Sequence, residues 1–145
     1  MIEEIEKKII ETLEKSGLFM GFDIKPFPED FDNYNFLSAK GCLLVRYDGS
    51  IYSEPETLSS LTQSETYEFS VIAGIRYQET LSKNYPVLEN IKDELKGLKI
   101  REGKLYPKKR MFLGQKNRAT YYGYVFAVNL KSFDSPKNNN VIDLF

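Results

Sequence analysis

The periodicity of this chain changes in the order helix, strands, helix, strands, and that order limits the fold more than any other feature. Ile2, Ile5, Ile9 and Leu13 recur at three- and four-residue steps with Glu and Lys between them. This is the single apolar stripe of an amphipathic helix, and Gly17 follows as its cap. An extended segment at residues 23–28 ends in Pro26 and Pro28, which suit an edge or a strand end. Residues 41–47 form the most apolar strand candidate, with Asp48-Gly49 as the turn that ends it. Residues 50–64 are polar, contain Pro55, and read as a long hairpin loop or a projecting arm. Over residues 66–77, alternation sets Tyr67, Phe69, Val71 and Ala73 against Glu68 and Ser70. Pro86 opens a second helix with the stripe Leu88, Ile91, Leu95 and the cap Gly97. Short extended pieces follow at 98–100, 105–106 and 111–114, then a turn at 114–118 and a strong strand at 120–130. Strands and helices do not alternate regularly, which argues against a doubly wound parallel sheet. The expected class is α+β, a mainly antiparallel sheet with two helices packed on one face.

The chemistry of the side chains points away from catalysis. The 145 residues contain no histidine and one cysteine, Cys42, inside an apolar run. The commonest general base, the commonest metal ligand and most nucleophile–base pairs are thereby missing. Asp30 and Asp32 echo the opening of a calcium loop, but Tyr34 and Asn35 stand where a ligand and a glycine are required. There is no GxGxxG, no GxxxxGK and no SxxK. The expectation is a non-enzyme with no cofactor, no catalytic residue and no metal site. The acidic, amphipathic start does not resemble a signal peptide, and no apolar run approaches the ~20 residues of a membrane span. A cytoplasmic protein, or one assembled in a cytoplasm, with no membrane partner, is therefore expected.

Charge is laid out unevenly. Residues 96–118 hold nine bases, Lys96, Lys99, Arg101, Lys104, Lys108, Lys109, Arg110, Lys116 and Arg118, against Glu102 alone. Residues 1–36 hold nine acids against Lys7, Lys8, Lys15 and Lys25. The two stretches can pair within one molecule, pair head to tail between neighbours, or leave the basic segment to face a polyanion such as DNA. Phe27, Phe31, Tyr34 and Phe36 crowd a turn-rich stretch and either fold back on the core or form a contact surface. After residue 131 a polar spacer, residues 135–140, leads to Val141, Ile142, Leu144 and Phe145. A spacer ending in an apolar patch has the form of a docking arm, and equally of a terminus that frays or folds back. One domain over 1–131 and a flexible arm over 132–145 follow.

Several of these features resemble one family. They are the N-terminal helix, the strand with the form Cys42-Leu-Leu-Val-Arg-Tyr-Asp-Gly49, and the strand Tyr67-Glu-Phe-Ser-Val-Ile72. The helix Leu88-x-x-Ile91-x-x-x-Leu95-x-Gly97 and the closing strand Tyr124-Val-Phe-Ala-Val128 complete the pattern. Over residues 1–130 the chain resembles the small tail-terminator or tail-completion proteins of Mu-like contractile-tailed phages and phage-tail-like particles. The resemblance implies an α+β subunit of a ring, usually of six copies, at the head-proximal end of the tail. Such a ring caps the tail tube, stops its polymerisation and meets the neck or head-completion protein and the last sheath ring. Implied partners are further copies of the chain, the tube protein, the sheath protein and DNA passing through the lumen. The implied location is a virion or tail-like particle assembled in the bacterial host cytoplasm. Lys104, Lys108, Lys109, Arg110, Lys116 and Arg118 are expected at a subunit interface or the lumen, and Val141, Ile142, Leu144 and Phe145 on a partner. A head–tail joining protein, or a small DNA-binding module using residues 96–118, are the competing expectations.

Overall fold

Ile5, Ile9 and Leu13 are fully buried, as their spacing requires, while Ile2 at the start of the stripe stays exposed. They belong to the first helix, α1 (Ile2–Lys15), after which Gly17 takes a left-handed φ of 75°. The computed structural model describes residues 1–56 and 62–133. Beyond α1 the elements are β1 (Phe22–Pro26), β2 (Gly41–Tyr52), β3 (Thr62–Arg76), α2 (Tyr85–Leu95), β4 (Lys99–Ile100), β5 (Gly103–Lys104), β6 (Tyr106–Lys116) and β7 (Ala119–Phe133). Five strands form one sheet in the order β1-β2-β3-β7-β6, and β4 and β5 form a separate ribbon. Only β1 pairs in parallel, with β2; every other pairing is antiparallel. The class is α+β.

Both helices lie on one face of the sheet. Ile5, Ile9 and Leu13 of α1 and Leu88, Ile91 and Leu95 of α2 share a core with Leu43, Val45, Phe69, Val71, Tyr124, Phe126 and Val128. Burying each such aliphatic side chain is worth about 1.5–3 kcal/mol, so the two stripes account for the docking of both helices. The second face carries a smaller cluster of Phe36, Cys42, Leu44, Ile72, Ala119 and Tyr121. Here β3 comes very close to its neighbours. A β-carbon on Gly74 would stand 2.5 Å from the Tyr121 ring and 2.9 Å from Cys42 Sγ. Only glycine fits between them.

Five expectations from the sequence need correction. Asp48-Gly49 is a bulge and not a turn: the β2–β3 register shifts between Tyr47 and Gly49, and β2 continues to Tyr52. Asp48 is the extra residue of this bulge, without a partner in the register, and its carboxylate is held by the Ser70 hydroxyl and, at 2.8 Å, by Arg46 Nε–H, which both donate to it. The loop expected over 50–64 is therefore shorter, and β3 starts at Thr62. The piece expected over 111–114 is part of one continuous strand, β6, which absorbs Pro107 and Gly114 through register shifts at both places. The turn after β6 is not 114–118 but two residues, Asn117 and Arg118, at φ 50° and 62°. Positive φ at both positions is the geometry of a tight hairpin turn matched to strand twist. Finally, the strand expected over 120–130 is longer, running as β7 from Ala119 to Phe133.

Candidate assembly surfaces

No three His, Cys, Asp or Glu side chains stand together as metal ligands among the described residues. Cys42 is fully buried, and burial pushes its thiol up to about 11, so it behaves as a small core residue. Asp30 of the acidic turn accepts Asn33 Nδ2–H at 2.8 Å. No described helix is long and apolar enough to cross a membrane.

The aromatic stretch folds back onto the second face of the sheet. Phe27 and Phe31 stack at 4.9 Å, and Phe31 meets Tyr121 edge-on at 5.4 Å. Phe36 is buried, and Phe27, Phe31 and Tyr34 pack around it as half-buried groups. Burial pushes the Tyr34 hydroxyl up to about 12. Cations hold the stretch from outside: Arg46 lies 5.2 Å over Phe27 and Lys116 4.0 Å over Phe31. Arg76 donates to the Phe36 and Ser38 carbonyls at 3.1 and 3.0 Å. The four rings thus serve as a lid on a second small core.

The basic residues are not gathered into one patch. Four of them lie on β6, an edge strand of the sheet, where alternation distributes them over both faces. Lys108 meets Glu68 at 3.0 Å on the face away from the helices. Arg110 meets Glu89 of α2 on the helix side and lies 5.6 Å from the Tyr124 ring centre. Lys116 donates to the Phe31 carbonyl at the far end of β6. Arg118, in the turn, lies 5.9 Å over Tyr77. Lys104 sits on β5 and is paired in register with Lys99. Lys104 and Lys109 have no ion-pair partner among the described residues. Among the described residues one ion pair joins the acidic N-terminal part to the basic segment, Glu4 with Arg101 at 2.9 Å, and Arg101 holds the Glu4 carboxyl below its usual range.

Two unlike flanks result. On one side α1 lies beside β1 and β2, and on the other α2 lies beside β6. Residues 1–26 carry six acids against four lysines, whereas β6 carries Lys108, Lys109, Arg110 and Lys116 and no acid. Lysines, a proline and two bulges on an edge strand also prevent indiscriminate strand pairing. Between α2 and β6 runs a cleft of about 430 Å³ walled by Tyr85, Leu88, Met111, Phe112 and Tyr122, with Arg110 and Glu89 on its rim. Tyr85 and Phe112 are more than half exposed, at 54% and 57%. Sequence reasoning missed this cleft. Tyr85 and Glu89 share a helix face four residues apart, which is its faint signal, but their strand partners lie over twenty residues away. Val141, Ile142, Leu144 and Phe145 lie outside the described residues.

A protein family described as Gp37 protein matches residues 13–144. No curated protein matches the chain. Among solved structures, a chain from the structure titled "Virion of native gene transfer agent (GTA) particle" shares the fold with a TM-score of 0.54 at 11% sequence identity. The likeness covers 88% of this chain and 95% of that one.

Proposed function

The chain belongs to the Gp37 protein family, a phage protein family, and from that premise we propose that it is a structural protein of a phage or phage-like particle, acting as a tail terminator. Copies form a ring on the end of the tail tube, stop its growth and present a surface to the neck or head-completion protein. In a contractile particle the ring also meets the last sheath ring. The role needs shape and stoichiometry, not a catalytic group or a cofactor.

The observation that supports this most is the near full-length fold likeness to a chain of a virion particle. The two flanks add a physical argument. A ring needs two different, mutually complementary side surfaces, because head-to-tail contacts close only if each copy offers both. The acidic α1–β1 flank and the basic α2–β6 flank are such a pair, and opposite charge guides their encounter. Lys104 and Lys109, free of intramolecular partners among the described residues, belong at that junction or toward the lumen, where DNA passes. Assembly takes place in the bacterial host cytoplasm and the product resides in the particle.

A head–tail joining protein is the nearest alternative and would share the ring but not the tube-end contact. A separate DNA-binding module is the weaker reading, since Lys108, Arg110 and Lys116 are already engaged within the molecule. Native mass spectrometry with and without tail-tube protein tests the proposal. A closed oligomer that gains mass with tube protein supports it, and a lasting monomer that ignores tube protein overturns it.

A further inference from the structure

We propose that the cleft between α2 and β6 receives the segment Val141–Phe145 of a neighbouring copy. The inference rests on the ring reading above and names the contact that links one copy to the next. The cleft is a ready receptor for a short apolar peptide. Tyr85, Leu88, Phe112 and Tyr122 supply apolar and aromatic walls, and about 430 Å³ accommodates a few aliphatic or aromatic side chains. The chain itself carries a matching ligand, with Val141, Ile142, Leu144 and Phe145 placed after a polar spacer.

Length favours another copy as the donor. From Phe133 at the end of β7 back to Tyr122 in the cleft is eleven residues of the same strand, a span of about 37 Å at ~3.4 Å per residue. Val141 is eight residues beyond Phe133, and a fully extended chain of that length reaches only about 28 Å. A relaxed one spans about 16 Å. Seating the apolar residues in their own cleft would require a nearly fully extended spacer, whereas a neighbour's cleft can lie within the relaxed reach. Charge agrees. Asp143 sits among the apolar residues, and Arg110 stands on the rim to receive it. Glu89 would not be stranded by that exchange, because it also pairs with Lys92 at 3.2 Å. Behind the cleft wall, buried Asn84 donates to the Tyr122 hydroxyl at 3.3 Å and so helps to hold that ring in place.

Complementation between two defective full-chain variants tests this. The first carries Phe112→Glu, which blocks the cleft at an exposed position and leaves the core intact. The second lacks residues 135–145. Native mass spectrometry should find the wild type assembled and each variant monomeric. Mixed, the two variants should form a one-to-one dimer, because one still offers an arm and the other a cleft. That dimer also shows that both are folded. Variants that assemble like the wild type, a mixture that stays monomeric, or a wild type that never associates would each overturn the inference. Its failure is distinct from that of the ring reading. Assembly that persists without arm or cleft leaves the ring standing on another contact. Complementation without any binding to tube ends leaves the arm standing and removes the terminator.

Discussion

At position 74 a single methyl group is too much, because it would stand 2.5 Å from a ring that cannot leave its core. Gly74→Ala should lower stability by about 1–3 kcal/mol, measured by denaturant unfolding. An unchanged midpoint would mean that Tyr121 moves freely. Cys42 makes a second residue-scale prediction. Burial raises its pKa from 9.0 to about 11 in the fold. Its contribution to stability is therefore complete below pH 9 and is lost as pH rises toward 11, since only the unfolded chain ionises readily there. The fall in stability between pH 9 and 11 should be shallower in Cys42→Ala, and folded protein should resist alkylation at pH 8. Rapid labelling of native protein would contradict the burial. The role of Cys42 was legible in the sequence from its apolar neighbours. The need for glycine at 74 was not, because it depends on Tyr121 and Cys42 meeting across three strands.

At the scale of elements, both helices and the three central strands were legible, because apolar spacing alone decides which side of each is buried. Ile9→Ala, at the centre of the α1 stripe, should cost about 2–5 kcal/mol; urea unfolding checks this against an Ile2→Ala control that should change little. The errors fell where a strand departs from regular pairing. Asp48-Gly49 looks like a hairpin turn but is a bulge, with Asp48 held by the Ser70 and Arg46 contacts. Pro107 and Gly114 break the local pattern of β6, yet an edge strand tolerates both. The basic segment misled for a related reason. Of the nine bases only four lie on β6, where alternation splits them between its faces, and the other five lie on the ribbon, turns and helix end around it, so counting charges exaggerated the patch. Even so, β6 keeps a surplus of positive charge at a free edge. Lys108→Glu with Lys109→Glu should lower the melting temperature only slightly, through loss of the partly exposed Lys108–Glu68 pair, while shifting the native mass distribution toward monomer. Full assembly of the double variant would remove β6 from the interface.

The whole molecule is a sheet with one thick, helix-covered face, one thinner aromatic-covered end and two chemically different flanks. In the proposed ring, that asymmetry lets the two sides of one subunit meet different surfaces of identical neighbours. The sequence expressed the class of the fold through its order of periodicities, and the family through patterns spread over most of its length. It hid the cleft between α2 and β6, because no local signal joins Tyr85 to Phe112 and Tyr122. The most direct measurement is electron microscopy of tail tubes polymerised with and without the protein. One ring at one end of each tube, with growth arrested there, is predicted. Tubes of unchanged length with bare ends would contradict the terminator role.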